Sequence, residues 1–209
     1  GYAEVMQDIP AENTPENLQI IVNESKRLTD LVNDVLDISN YQAGNMELNL
    51  SRFNLTDAVR EILGRYKKFT EQDGYTINLR ADGDYYVYAD KIKITQVLYN
   101  LLNNAIAYTG EDKKITIRVR RAKNAVRVDV IDTGEGIPPE KLGMIWDRYY
   151  KLDKTHKRAK IGTGLGLSIV KASMEQLGQP YGVYNCEDGV SFWFELDCQD
   201  AAEMIQEQA

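Results

Sequence analysis

The sequence is poor in the residues that build disulfide frameworks, metal clusters and membrane spans. Its 209 residues include two cysteines, Cys186 and Cys198, and a single histidine, His156. Two cysteines fit a reduced cytosolic protein better than a disulfide scaffold, so we expect both to be structural. No run of about 18 apolar residues occurs, and we therefore expect no membrane contact by this chain.

Basic residues are also fewer than acidic ones. The chain carries 25 Lys and Arg against 32 Asp and Glu, which gives a formal net charge of −7 and a pI near 4.9. This balance argues against a nucleic-acid-binding surface. The length suits one domain of ordinary size with a helical appendage.

The N-terminal part of the chain has the pattern of one long helix, predicted for residues 16–43. Ile21, Leu28 and Val35 recur every seven residues, with further apolar residues beside them. Such a wide apolar stripe suits a four-helix bundle assembled from two chains, although a helix packed on its own domain is the alternative. The sequence thus divides into a helical region at 1–46, a globular domain at 47–198 and a tail at 199–209.

From Glu47 onward the sequence alternates between helix and strand patterns. A short strand leads to Asn54, a suitable N-cap for a helix over residues 56–71. Further strands are predicted for residues 76–80, 85–89, 114–121, 125–132 and 190–196, with a hairpin turn at Lys123 and Asn124. This order predicts an α+β fold, a two-layer α/β sandwich whose mixed sheet carries helices on one face, preceded by the long helix.

A helix predicted for residues 90–107 carries a polar face. Asn100 and Asn104 stand four residues apart in an apolar run, which puts both carboxamides on one side, with Tyr108 one turn further on. A carboxamide oxygen is a hard, neutral ligand that suits a Mg²⁺ ion bridging nucleotide phosphates. A buried, hydrogen-bonded Asn pair is the alternative, and for an isolated pair it is the more frequent one.

Two glycine-rich segments follow this helix. The first, Asp132-Thr-Gly-Glu-Gly, ends a strand, where a carboxylate can accept a hydrogen bond from an adenine amino group; a simple turn is the alternative. The second, GTGLGL at 162–167, leads into an apolar-periodic helix, so its backbone N–H groups are expected to face phosphates. It is neither a Walker loop nor a dinucleotide fingerprint, since it lacks Gly-Lys-Ser/Thr and does not follow a strand that opens a βαβ unit.

Four segments occur in order: NLLNNAIAYT at 100–109, DTGEGIP at 132–138, WDRYYK at 146–151 and GTGLGL at 162–167. They resemble the N, G1, F and G2 boxes of sensor histidine kinases. The ATP-binding domain of these kinases has the fold shared with type II topoisomerases, heat-shock chaperones and mismatch-repair ATPases. In addition, residues 27–48 are similar to the second helix of the kinases' dimerisation domain, so the resemblance covers nearly the whole chain.

The resemblance implies a site, cofactors and partners. ATP and Mg²⁺ would be the cofactors, with Asn104 as the metal ligand and Arg148 as a catalytic cation. The nucleotide-binding residues it implies are Asn100, Asn104, Tyr108, Asp132, Gly134, Gly136, Ile137, Tyr150, Lys151, Gly162, Thr163, Gly164, Leu165, Gly166 and Leu167. The intact protein would be a cytoplasmic homodimer through its N-terminal helix, compatible with an upstream membrane anchor. It would phosphorylate a histidine and then an aspartate of a response regulator receiver domain.

The segment KLDKTHKRAKI at 151–161 carries five basic residues against one acid. A solvated basic loop is the ordinary explanation, but its place between two phosphate-facing motifs favours a lid that closes on the triphosphate. His156 lies in this segment, and we interpret it as a surface residue of the lid. The family's phosphoacceptor lies in a His-Glu-x-x-x-Pro-like stretch that this chain lacks, so we expect the acceptor upstream of Gly1.

Two positions depart from the family pattern. Ala107 stands where a lysine often points at phosphate, and Ile161 replaces the first glycine of the usual GGTGLGL. Two other functions remain open: a serine protein kinase or ATPase of the same fold, such as an anti-sigma factor, and a dimerising scaffold that binds nucleotide weakly or not at all. The helical appendage argues against the first, and the intact Asn, Asp and Gly set against the second.

Overall fold

The computed structural model describes residues 14–22, 24–25, 28–29, 32, 47–150, 164–187 and 189–198, and the chain forms two compact units, 1–46 and 47–209. In the first unit the described residues 15–22, 24–25, 28–29 and 32 are helical, so the helix predicted for 16–43 begins one residue earlier. The rest of that helix prediction and the predicted tail at 199–209 lie outside the described residues.

The second unit alternates strands and helices. Its elements are β1 (Leu50–Asn54), α1 (Leu55–Arg65), α2 (Lys67–Gln72), β2 (Thr76–Ala81), β3 (Tyr86–Asp90), α3 (Lys91–Tyr108), β4 (Lys114–Ala122), β5 (Ala125–Asp132), two 3₁₀ turns (Pro139–Lys141 and Met144–Trp146), α4 (Gly166–Leu177), β6 (Tyr181–Cys186) and β7 (Gly189–Asp197). The predicted cap at Asn54 is confirmed, since its side chain accepts a hydrogen bond from the Asp57 N–H.

A mixed five-stranded sheet forms one layer of this unit. Its strand order is β2-β4-β5-β7-β6, with β2 and β4 parallel and the other neighbours antiparallel. Alternate residues of β5, such as Val126, Val128 and Val130, are buried in the core with the apolar side of α3. The predicted α+β fold, a mixed sheet with helices on one face, is thereby confirmed.

Three local features differ from the prediction. The helix predicted over 56–71 is interrupted at Tyr66, whose buried side chain donates a hydrogen bond to Asn103 Oδ1 at 2.8 Å. Strand β6 was not predicted, because its segment contains Gly182 and Asn185 and lacks a clear alternation. Finally, β1 and β3 pair with each other in a separate two-stranded sheet, where one sheet was expected.

Candidate functional site

The polar face of α3 forms one wall of the site. Asn100, Asn104 and Tyr108 are partly buried along this face, whereas Leu98 and Leu102 on the opposite side are fully buried. The Asn100 amide donates to the Gln96 carbonyl at 3.1 Å, so its Oδ1 points the other way. In the part of the chain that the structure describes, the Asn104 carboxamide has no hydrogen-bond partner, so its oxygen remains available to a ligand.

The N-terminus of α4 lies against one end of this wall. A Cβ placed on Gly166 would come within 3.0 Å of Asn100 Oδ1, so only glycine fits there without displacing the carboxamide. The preceding Leu165 is fully buried, and its carbonyl accepts a hydrogen bond from Ser168 Oγ at 2.7 Å. The first N–H groups of a helix have no partner within the helix, so α4 offers an anion-binding end beside Asn100.

Asp132 lies at the end of β5 and is almost fully buried, with 2% of its surface exposed. Its Oδ1 accepts a hydrogen bond from the Gly134 N–H at 2.9 Å. Its Oδ2 accepts none from the described residues. Burial raises the pKa of the Asp132 carboxyl to about 6, while the Gly134 bond opposes the shift. A buried carboxylate with one free oxygen is well suited to accept a hydrogen bond from a ligand.

The turn after Asp132 packs directly on the C-terminal end of α3. A Cβ on Gly134 would overlap the carbonyl oxygen of Tyr108, so the two backbones touch there. Thr133 stabilises the same contact. Its hydroxyl lies 3.0 Å from the Thr109 hydroxyl and donates a hydrogen bond to the Asp112 carboxylate. The Thr133 bond is also the main cause of a lowered pKa for the Asp112 carboxyl. Asp132 is thus fixed at the Tyr108 end of the wall, as Gly166 is at the Asn100 end.

Adding a methyl group at Gly134 is expected to lower the free energy of unfolding by about 1–3 kcal/mol, because the turn and α3 must move apart. Chemical denaturation of Gly134→Ala would measure this. Gly143→Ala is the matched control, since a Cβ there meets nothing within 4 Å and its backbone is helical, with φ −77°. Equal stability of the two variants would contradict the described contact.

The segment around Trp146 closes the site from the side of β6. The Trp146 ring packs edge-to-face on Tyr181, with centroids 4.9 Å apart, and Tyr150 packs partly on the core. Arg148 is exposed. The Tyr149 N–H donates to the Gly164 carbonyl at 2.9 Å. Residues 149 and 164 are therefore adjacent, although fourteen residues separate them in the sequence.

The structure thus brings together predicted residues from three of the four sequence segments, and the backbone of Tyr149 links the fourth segment to them. Asn100, Asn104, Tyr108, Asp132, Gly134 and Gly166 surround one corner of the unit, and Gly164 joins it to the Trp146 segment. Leu167 and Ile137 are largely buried, so a contribution from them to ligand binding would come from their backbone. Lys151, Gly162, Thr163 and the whole predicted lid, with His156, lie outside the described residues.

Two residues that the sequence did not single out also shape the site. Thr133 joins the turn to α3, and Asn185 on β6 pairs with the backbone of Ile137. Thr133 stands inside a recognised segment, so its position alone was a signal. Asn185 had none, because β6 itself was not predicted.

Comparison with known families shows the family of the chain. The model of the histidine kinase-, DNA gyrase B- and HSP90-like ATPases matches residues 89–200, more than half of the chain and all the described parts of the corner. The chain belongs to this ATPase family. Its relatives in this family include a sensor histidine kinase and a sensor protein, which agrees with the resemblance stated from the sequence.

One relative of this chain is the sensor histidine kinase WalK of Bacillus subtilis. The two are 34% identical over 183 residues, which cover 85% of this chain and 30% of WalK. The sensor protein SrrB of Staphylococcus aureus is 32% identical over 181 residues, covering 85% of this chain and 31% of SrrB. The chain therefore spans about a third of the length of these relatives.

A solved structure of the histidine kinase ThkA in complex with the response regulator TrrA superimposes with a TM-score of 0.73 and 30% identity. The match covers 95% of this chain and 57% of that one. Among the described residues of the chain, no helix is both long and apolar enough to cross a membrane.

Proposed function

We propose that the corner binds ATP with Mg²⁺ and that the chain is the ATP-binding catalytic part of a sensor histidine kinase. The observation that carries this proposal is the arrangement around α3: Asp132 and Gly134 stand at one end of its polar face and Gly166 at the other. Asn100 and Tyr108 are eight residues apart, about 12 Å along the helix axis. A nucleotide lying along this face would have its base at Asp132 and its phosphates at α4.

The base end of the proposed site is selective for a 6-amino purine. Asp132 Oδ2 is a buried acceptor without a donor among the described residues, and an adenine amino group would supply one. Gly134 keeps the turn close to Tyr108, and the Tyr108 ring lies one helical turn beyond Asn104. A 6-oxo purine would place an acceptor against the carboxylate and be repelled.

The phosphate end combines a helix N-terminus with two carboxamides. The donor set fits a hard cation, since Asn100 and Asn104 present oxygens on the same face of α3. Asn104 would hold the Mg²⁺, which neutralises phosphate charge when bound. The first N–H groups of α4 would bind phosphate oxygens. Arg148 and, outside the described residues, Lys151 are the cations we assign to the γ-phosphoryl.

The acceptor of the phosphoryl group is proposed to be a histidine on another segment, which then donates to a response-regulator aspartate. Two observations support this: the relatives are about three times longer than this chain, and ThkA was solved with its response regulator. The contribution of this chain is to orient ATP so that its γ-phosphoryl lies in line with that histidine. Closure of the segment 151–161, which lies outside the described residues, over the triphosphate belongs to the same proposal.

The N-terminal helix is proposed to pair with a second copy of the chain. Leu18, Val22, Leu28 and Val32 are 44–57% exposed. At 100° per residue they lie within an arc of about 120° on the helix, whereas Ile20, 40% exposed, lies outside it. Apolar side chains exposed along one helix face are typical of a bundle interface, and a homodimer would bury them.

Calorimetric titration of the chain with ATP, with and without Mg²⁺, tests the proposed function. We expect binding that Mg²⁺ strengthens, and loss of that Mg²⁺-dependent gain in Asn104→Ala, with the Mg²⁺-independent part largely kept. Asn78→Ala is the matched control, because Asn78 is exposed on β2, the edge strand opposite β6. Equal losses with and without Mg²⁺ in Asn104→Ala would contradict the metal-ligand role, and absence of any binding would contradict the function.

A further inference from the structure

The carboxamide of Asn185 pairs with the backbone of the loop that follows Asp132. Its Nδ2 donates to the Ile137 carbonyl at 2.8 Å, and the Ile137 N–H donates to its Oδ1 at 2.8 Å. Gly136 lies beside the same group, since a Cβ there would come within 3.5 Å of Asn185 Oδ1. One side chain thus pairs with the loop in both directions, as a neighbouring strand would.

The register of the sheet explains how Asn185 reaches this loop. Val190 on β7 is paired with Asp132 of β5 on one side and with Asn185 of β6 on the other. Asp132 and Asn185 therefore stand at the same level, two strand spacings or about 10 Å apart. The loop leaves β5 at Asp132, passes the end of β7 and is held at β6. The β6–β7 turn packs under its start, because a Cβ on Gly189 would overlap the Asp132 carbonyl oxygen.

The loop contains two glycines, Gly134 and Gly136, so its own conformational preferences are weak. At its first end it is fixed by the Asp132–Gly134 bond and by the contacts of Thr133. At its far end Ile137 is buried, with 5% of its surface exposed, and is bonded to Asn185. Removing the Asn185 pair would free the far end, so that Gly134, whose N–H bonds the Asp132 carboxylate, would be held from one side only.

We propose that Asn185 is a positioning residue for the base end of the nucleotide site. It holds the Gly134–Ile137 backbone so that the Asp132 carboxylate and the loop face the 6-amino group of the purine. The inference rests on the proposed function, since it concerns the selectivity of the same site. Asn185 does not touch the nucleotide in this proposal; it acts through the loop.

Asn185→Asp is the sharpest test. The substitution keeps the shape and the acceptor for the Ile137 N–H, but it places a carboxylate oxygen against the Ile137 carbonyl in place of the donor. We expect the ATP affinity to fall about tenfold, the cost of one broken and opposed hydrogen bond. The affinity for inosine triphosphate, which has an oxygen where ATP has its 6-amino group, should change less. The ratio of the two affinities, measured by calorimetry, should therefore fall.

Asn78→Asp is the matched control. It makes the same chemical change at an exposed position on β2, so both affinities should stay unchanged. An equal loss for ATP and inosine triphosphate in Asn185→Asp, or an unchanged ratio, would overturn the positioning role. If that variant does not fold, Asn185→Ser is measured in the same way, and the same ratio decides. If the unmodified chain binds neither nucleotide, the proposed function fails, which this experiment distinguishes from a failure of Asn185 alone.

Discussion

Replacement of Asp132 by asparagine is expected to weaken ATP binding by about 1–3 kcal/mol, because an amide group would then face the adenine amino group with a mispaired buried contact. The carboxylate is 2% exposed and has one oxygen without a donor among the described residues. Calorimetric titration of Asp132→Asn with ATP measures the effect. The control is Asp73→Asn, since Asp73 is exposed in the turn before β2. Unchanged ATP binding in Asp132→Asn would show that the base lies elsewhere.

In the ligand-free protein, the same substitution should raise the free energy of unfolding. Burial raises the pKa of Asp132 from an ordinary value of 3.8 to about 6. Between these two values the folded protein binds more protons than the unfolded chain, so stability falls as the pH rises through this window. At pH 7 the buried charge is therefore destabilising, and Asp132→Asn removes it. We expect higher resistance to denaturant together with weaker ATP binding, whereas a general folding defect would lower both.

The raised pKa also predicts a pH dependence of binding. Only the ionised carboxylate accepts a hydrogen bond with both oxygens, so protonation below about pH 6 should weaken adenosine binding, by about tenfold at pH 5 relative to pH 8. Adenosine is the better probe, because the phosphates of ATP titrate in the same range. Asp132→Asn should show no such step. If adenosine affinity still fell below pH 6 in Asp132→Asn, another group would be responsible for the pH dependence.

The parts of the site that could be predicted lie within a single helix or strand. There the spacing of residues along the sequence determines which residues share a face. Asn100, Asn104 and Tyr108 recur at helical intervals, so their common face followed from the sequence. Asp132 ends a strand with clear alternation, so its place at a strand end followed from that pattern. The fold class was predictable for the same reason, since helix and strand patterns alternate along residues 47–198.

The parts that could not be predicted depend on contacts between distant segments. The break at Tyr66 is associated with a bond to Asn103, 37 residues away, and local helix propensity gives no sign of it. The bond from Asn185 to Ile137 joins residues 48 apart, on a strand whose glycine and polar residues hide its pattern. The contact of Gly134 with Tyr108 likewise depends on how the sheet packs on α3.

The chain itself is expected to bind ATP without phosphorylating itself. Its only histidine is His156, within the basic segment between the Trp146 segment and the glycine-rich loop. The residues that flank this segment, Tyr149 and Gly164, are hydrogen-bonded to each other at the proposed phosphate end. A histidine in a segment that closes over ATP would move with the nucleotide. Transfer instead requires a nucleophile held in line, about 3–3.5 Å from the reacting atom.

Incubation with γ-labelled ATP should therefore leave the chain unlabelled under conditions in which calorimetry shows binding. Adding a separately expressed dimerisation domain that carries an acceptor histidine should produce label on that domain, stable to base and labile to acid as phosphohistidine is. Asn104→Ala, which removes the proposed metal ligand, should abolish this transfer, whereas Asn78→Ala should not. Label on the chain alone that disappears in His156→Gln would contradict the assignment and identify His156 as the acceptor, because the chain has no other histidine.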